Sequence, residues 1–283
     1  MAFKMVLYEF ENVIEVEEYL DGRYGAPGQK RAEKKKATPE EIARVNQWNK
    51  SKKARHRLRT YFKVNDYFVT LTYRKEKRPK ELKEAQSHFR TFYKYVGKEY
   101  KKRGYELRWI RNIERGVKEN WHIHVVLNRI PDTDIILSRA WEYGKVKDKQ
   151  LLYEKGEFRE LADYITKDEK SKVIDHKVLE EKYSTSRNMP LPEPKVKRMK
   201  RWQKEPKARK GFYIDKDTLF EGTNRFTSFP YRHYEMIRIE RRSSSAGRDI
   251  HRNRCKDDED REDVLRSSCR SKGKDRGPGK KSR

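Results

Sequence analysis

Within the run Trp121-His122-Ile123-His124-Val125-Val126-Leu127, two histidines are separated by one apolar residue. Side chains on a β-strand alternate between faces, so His122 and His124 share one face and Ile123, Val125 and Leu127 share the other. Two imidazoles placed in this way can grip one divalent cation. Glu114, eight residues before His122, ends the preceding strand of what reads as a hairpin. A turn through residues 115–120 would bring its carboxylate beside the two rings. One carboxylate and two imidazoles suit a cation of intermediate hardness, Mg2+ or Mn2+, and leave positions open for a phosphate oxygen. Two plainer alternatives stand beside this one. Glu114 could pair across the strands with Arg108 or Arg111, and the histidines could be an incidental pair with no ligand.

The second group with chemical potential is Leu161-Ala162-Asp163-Tyr164-Ile165-Thr166-Lys167. Read as a helix, it puts Tyr164 and Lys167 on one face and uses Leu161 and Ile165 as anchors to a core. A phenol with its usual pKa near ~10 is a poor nucleophile at neutral pH. A cation that polarises a phosphate, together with a nearby ammonium, reduces that difficulty. Attack by Tyr164 on a phosphodiester would give a phosphotyrosine ester, which stores the bond for religation.

The elements that must position these groups form an α+β pattern over residues 65–167. Asp66–Tyr73 is aromatic and β-branched and reads as a strand. Residues 80–102 carry Leu82, Ala85, Phe89, Phe92, Tyr93 and Val96 at helical spacing. Leu107–Glu114 and Trp121–Asn128 read as the hairpin strands, with a short helix over 131–143, a strand over 145–153 and a helix over 157–168. The order predicts a central antiparallel sheet with helices packed mainly on one face. Residues 1–60 read as a basic N-terminal extension, with a short strand at Val6–Phe10, a turn region at Gly22–Gly28 and a charge run at Lys30–Lys36. Near its end, Thr38-Pro39-Glu40-Glu41 marks a helix start with a capping box, and Ile42, Val45 and Trp48 lie on one face of that helix. The endonuclease-type domain is assigned to 61–240, where 211–240 alternate and add edge strands. Residues 241–283 hold 15 Lys or Arg and 8 Asp or Glu with almost nothing to bury, and are expected to be a disordered tail.

The 283 residues carry a formal charge of +27, with 41% charged and 34% apolar residues. A charge that large is best tolerated beside a polyanion, and nucleic acid gains most from lysines and arginines on its phosphates. Two cysteines, Cys255 and Cys269, lack metal-type spacing and suggest a reducing compartment. The opening residues lack the apolar run of a signal peptide, and no window reads as a membrane span. The expectation is a cytoplasmic protein with no membrane partner.

Taken together, three ordered blocks carry a resemblance. The strand Phe68-Val69-Thr70-Leu71-Thr72-Tyr73, the His-hydrophobic-His block at 122–124 and Tyr-x-x-Lys at 164–167 resemble a rolling-circle replication initiator of the HUH endonuclease superfamily, plasmid or phage type. The stretch Tyr183–Pro190 is similar to the segment after the nucleophile helix in phage-like members. The resemblance implies a ferredoxin-like or RRM-like sheet, with His122, His124 and Glu114 as metal ligands and Tyr164 and Lys167 as the catalytic pair. It also implies a 5′-phosphotyrosine intermediate on single-stranded or origin hairpin DNA. Thr72, Arg74, Lys75, Arg187 and Trp202 are the DNA contacts it suggests, Trp202 as a base-stacking ring. Asp168 stands where some phage initiators carry a second tyrosine, so Tyr183 or a second subunit would be needed for termination. No P-loop occurs, which assigns unwinding to a separate helicase of the replication machinery. An HUH transposase and a non-catalytic basic nucleic-acid-binding protein are the rival readings.

Overall fold

The computed structural model describes residues 3–20, 38–115, 121–151, 158–167, 183–223 and 230–239. The chain is α+β, with two five-stranded antiparallel sheets and four helices. The first sheet carries the histidines. It consists of β3 (Tyr67–Thr72), β4 (Trp109–Arg115), β5 (Trp121–Leu127), β6 (Val146–Gln150) and β7 (Tyr183–Thr185), in the order β6-β3-β5-β4-β7. The second sheet is built from β1 (Phe3–Glu9), β2 (Val13–Leu20), β8 (Lys195–Met199), β9 (Phe212–Thr223) and β10 (Pro230–Arg238), in the order β8-β1-β2-β10-β9.

Alternation sorts the first sheet into two faces. Tyr67, Val69 and Leu71 of β3, with Ile113, Ile123, Val125 and Leu127, bury against α2 (Leu82–Lys102) and α3 (Thr133–Ala140). Leu82, Ala85, Phe89, Phe92, Val96 and Tyr100 of α2 form the matching stripe. The opposite face carries Phe68, Ile110 and Val126 at one end. These pack under Ala54, Leu58 and Phe62 of α1 (Pro39–Tyr61) and Phe158, Ala162 and Ile165 at α4 (Arg159–Thr166). Helices therefore lie on both faces rather than mainly on one, and the histidine face is only half covered.

Residues 3–20, read from the sequence as part of a basic extension, are two strands of the second sheet, and 39–61 is a 23-residue helix. The capping box forms as expected. The Glu41 amide donates to Thr38 Oγ1 and the Thr38 amide donates to the Glu41 carboxylate. Ile42, Val45 and Trp48, however, stay exposed. The buried part of α1 is its C-terminal half, and it is buried on two sides. Ala54, Leu58 and Phe62 meet the first sheet. Arg55, His56 and Arg59 meet Glu15 of β2 and Glu235 of β10. The second sheet's other face holds its own cluster of Leu7, Ile14, Val16, Tyr234 and Met236. β10 is an interior strand of this sheet and not an edge addition. The hairpin turn over 116–120, the Gly22–Gly28 and Lys30–Lys36 stretches, Asp168 and the 241–283 tail lie outside the described residues.

Among the described residues no helix is long and apolar enough to cross a membrane.

Candidate active site

The strand register places the site. Thr72 of β3 and Glu114 of β4 both lie opposite His122 of β5, and Thr70 and Asn112 both lie opposite His124. Directly paired residues project to the same face, so two hydroxyls, two imidazoles, an amide and a carboxylate share one patch. The hairpin that puts Glu114 there forms because β4 and β5 each offer an apolar residue to the α2 face at every second position. Ile113 and Ile123 are partners on it.

His124 is the centre of the contacts. Its Nδ1 lies 3.1 Å from Thr70 Oγ1, and its Nε2 lies 3.3 Å from Glu114 Oε2 and 3.3 Å from the Tyr164 hydroxyl. The Phe68 ring stacks on the imidazole at 5.6 Å and 10°, which fixes the ring plane. His122 lies beside it with ring centroids 6.4 Å apart and planes within 16°. Asn112 Nδ2 reaches Glu114 Oε1 at 3.5 Å. Glu114 is thus on the imidazole side of the sheet. Arg111 lies over the Phe89 ring on the opposite side, and Arg108 meets Glu106.

Tyr164 comes from α4, which is held at several points. Ala162 and Ile165 are fully buried against α1. Ser51 donates to Asp163, Gln47 donates to the Thr166 carbonyl at 3.0 Å, and Arg159 forms an ion pair with Glu235 at 2.7 Å. The helix begins at Phe158, whose φ of 59° is left-handed and is held there by its buried ring. Tyr164 itself is 45% exposed. Partial burial raises its phenol pKa above the ordinary value, and the Glu114 charge raises it further. The phenol therefore needs positive charge nearby to become a nucleophile.

His122, His124 and Glu114 fit a divalent cation in donor type and in sharing one sheet face, and the contact between Glu114 Oε2 and His124 Nε2 is already at ligand-pair distance. A tighter grouping exists elsewhere. Ligand atoms of Glu15, Glu17 and His233 lie within 4.8 Å of one another. There Glu15 already accepts from Arg55, Arg59 and His56, and Glu17 meets Lys52. Fixed cations occupy the lone pairs a metal would need, so this group reads as a buried ion network.

The other residues singled out from sequence fall in different places. Thr72 lies in the patch, with its hydroxyl donating to the Lys145 carbonyl at 3.1 Å. Arg74 and Lys75 follow β3 at the open end and are exposed. Lys167 caps α4 after its last helical residue, and its amide donates to the Tyr164 carbonyl at 3.3 Å. Arg187 is exposed at the far end of β4 from Glu114, since Ser186 already pairs with Trp109. Trp202 packs on Phe3 beneath the Arg232 guanidinium, in the second sheet, away from the patch. Tyr183 has its pKa pushed up to about 12, mainly by burial, which disfavours it as a second nucleophile.

Sequence reasoning missed four neighbours of the histidines. Thr70 and Phe68 orient His124, and Lys147 and Lys149 of β6 lie opposite Thr70 and Phe68, exposed on the imidazole face. The alternation of Lys147 and Lys149 was visible in the sequence. The partner that turns them toward the site was not.

Residues 66–169 match a family model described as a replication-associated protein of the ORF2 type. The matched span contains the β3 block, His122 and His124, Glu114 and Tyr164–Lys167, and supports the resemblance to a replication initiator. The chain carries a replication-associated module with a DNA-directed role. No curated protein and no solved structure matches the chain.

Proposed function

We propose that this chain initiates rolling-circle replication by nicking and rejoining single-stranded DNA at an origin through a 5′-phosphotyrosine on Tyr164. The observation that carries this reading is the Tyr164 hydroxyl 3.3 Å from His124 Nε2, on the face shared with His122 and Glu114. The phenol oxygen attacks phosphorus, the bond from phosphorus to the 3′ oxygen breaks, and a free 3′ hydroxyl leaves. The proton lost by the phenol balances the one gained by the leaving oxygen. Attack by the 3′ hydroxyl of a second strand reverses the step and restores the phenol.

His122, His124 and Glu114 would hold Mg2+ or Mn2+, which when bound polarises the scissile phosphate. Thr70 and Phe68 keep the His124 ring in plane. Lys147, Lys149, Arg74 and Lys75 border the open end of the patch and attract the phosphates on either side.

The test is a covalent adduct assay. The full-length protein is incubated with a single-stranded oligonucleotide library and Mg2+ or Mn2+, and protein-linked DNA is resolved under denaturing conditions and sequenced. The expected result is an adduct enriched in one sequence, lost with chelator and lost in Tyr164→Phe while DNA binding persists. An adduct that survives Tyr164→Phe overturns the assignment. Cation-independent binding with no adduct points instead to a non-catalytic DNA-binding protein.

A further inference from the structure

The face of the second sheet that points away from α1 is crossed by a strap formed by the chain after β8. Trp202 packs on Phe3 with ring centroids 5.4 Å apart and lies 4.7 Å beneath the Arg232 guanidinium. Arg232 Nη2 donates to the carbonyls of Gln203 and Lys204 at 3.0 and 2.9 Å, and the Arg209 amide donates to the Met236 sulfur at 3.4 Å. Arg232 is itself fully buried and paired with Glu18. The strap is therefore fastened from inside by one indole and by backbone atoms, and its charged side chains turn outward.

Those side chains are almost all cations. Between Lys195 and Lys210 there are nine Lys or Arg against one acid, Glu205. Lys195 and Arg209 share the Glu9 carboxylate, yet their side chains remain 67% and 59% exposed. Lys197, Lys200, Lys204, Lys207 and Lys210 are exposed as well. An anchored array of this kind loses less freedom on binding than the same charges on a loose segment.

We propose that this strap binds the phosphate backbone of double-stranded DNA. Duplex DNA presents about one charge per ~1.7 Å of axis, the density that best matches a fixed cationic face. Surfaces that hold single strands add exposed aromatic rings for base stacking. The one aromatic between residues 195 and 210, Trp202, is locked under Arg232 and unavailable. Contacts to phosphate alone carry no sequence information, so the strap supplies affinity and orientation. The second sheet lies between the strap and α1, so a duplex held there flanks the Tyr164 patch without occluding it. The preference for DNA over another polyanion rests on the replication reading; the surface itself does not.

The test uses the full-length protein and a random-sequence duplex of about 30 base pairs, with binding followed by anisotropy across salt concentration. A variant carrying Lys200→Gln, Lys204→Gln, Lys207→Gln and Lys210→Gln is expected to lower the salt slope by about 0.9 per lost phosphate contact. If all four touch phosphate, the loss of affinity between ~50 and ~200 mM salt shrinks roughly a hundredfold. Glu205→Lys is expected to shift the slope the other way. An unchanged slope in both variants overturns the proposal, as does an equal loss on a single strand of the same length. Adduct formation on a short single strand is expected to be unaffected by the four substitutions. Should the wild-type protein form no adduct while the duplex slope still falls, the nicking reading fails and the duplex surface stands.

Discussion

At the scale of single residues, the patch turns on how His124 is held. An imidazole that binds a cation through one nitrogen needs its other nitrogen fixed, because ring orientation and tautomer follow from that second bond. Here the fixing group is Thr70, 3.1 Å from Nδ1, and the Phe68 ring sets the plane. Thr70→Val keeps the strand and its volume while removing the bond. Adduct formation is expected to fall roughly 10–100-fold, with a higher Mg2+ or Mn2+ concentration needed for half-maximal activity. The melting temperature should change little, since Thr70 is half-buried and β-branched valine suits the strand. A variant with normal cation dependence would show that Thr70 has no part in the site. Glu114→Gln examines the neighbouring contact. It keeps a polar group near His124 but removes the negative charge that helps raise the Tyr164 pKa. The Tyr164 phenol, titrated by its ultraviolet absorbance change, is expected to move down toward its ordinary value, while adduct yield falls because a ligand charge is lost.

At the scale of elements, one glycine shows how closely the pieces approach. Gly144 lies between α3 and β6, where a Cβ would meet the Thr72 carbonyl oxygen at 1.9 Å. That oxygen accepts the Trp141 indole N–H at 2.8 Å, and the Thr72 amide donates to the Lys145 carbonyl at 2.9 Å. Gly144→Ala must therefore push the end of β3 aside, at the residue opposite His122. Overpacking of this kind costs about 1–3 kcal/mol, read as a lower urea midpoint, and adduct formation should fall with it. A fully stable, fully active Gly144→Ala would mean that the loop moves freely over β3. None of this was legible in the sequence, where Gly144 is one glycine in a short connection. What was legible were the elements whose pattern is set by one buried face. α2 was readable because its apolar residues recur at helical spacing, and β3 and β5 because they alternate. α1 was not readable in the same way, since it is buried on two sides and one of them is ionic. Its Lys52–Arg59 stretch looks like solvated charge until Glu15 and Glu235 are placed against it. The second sheet was hidden for the same reason. β1 and β2 pair with strands almost two hundred residues later, and no local signal announces pairings at that separation.

At the scale of the whole molecule, the buried ion network joins the second sheet, α1 and the helix that carries Tyr164. Glu15 takes Arg55, Arg59, His56 and His233, and Glu235 takes Arg59 and Arg159. Burial alone would push the Glu15 carboxyl up. Hydrogen bonds from His233 and His56 and the Arg55 charge outweigh it, and hold the group well below the usual carboxylate range. Glu235 follows the same pattern, with burial offset chiefly by Arg59 and then Arg159. His56 moves down because burial opposes its charged form more than Glu15 favours it. All three groups have lower pKa values folded than unfolded, so the unfolded chain binds protons first as pH falls. Their contribution is complete above the unfolded values and is lost toward acid. It fades below the ordinary histidine value of 6.5 for His56, and below the ordinary carboxylate value of 4.5 for Glu15 and Glu235. The urea midpoint is therefore expected to be flat above about pH 7, to decline gently to about pH 5 and to drop steeply below it. Glu235→Gln should weaken the steep part. It should also cost stability at neutral pH, of the order of 3–5 kcal/mol for a broken buried pair, because Arg59 and Arg159 lose their shared counter-charge. Since Arg159 begins α4, that variant is expected to lose adduct formation at urea concentrations where the first sheet is still folded. A wild-type urea midpoint that stays flat to pH 3 would show that the network contributes no net stability, and that α4 is held by its apolar face alone.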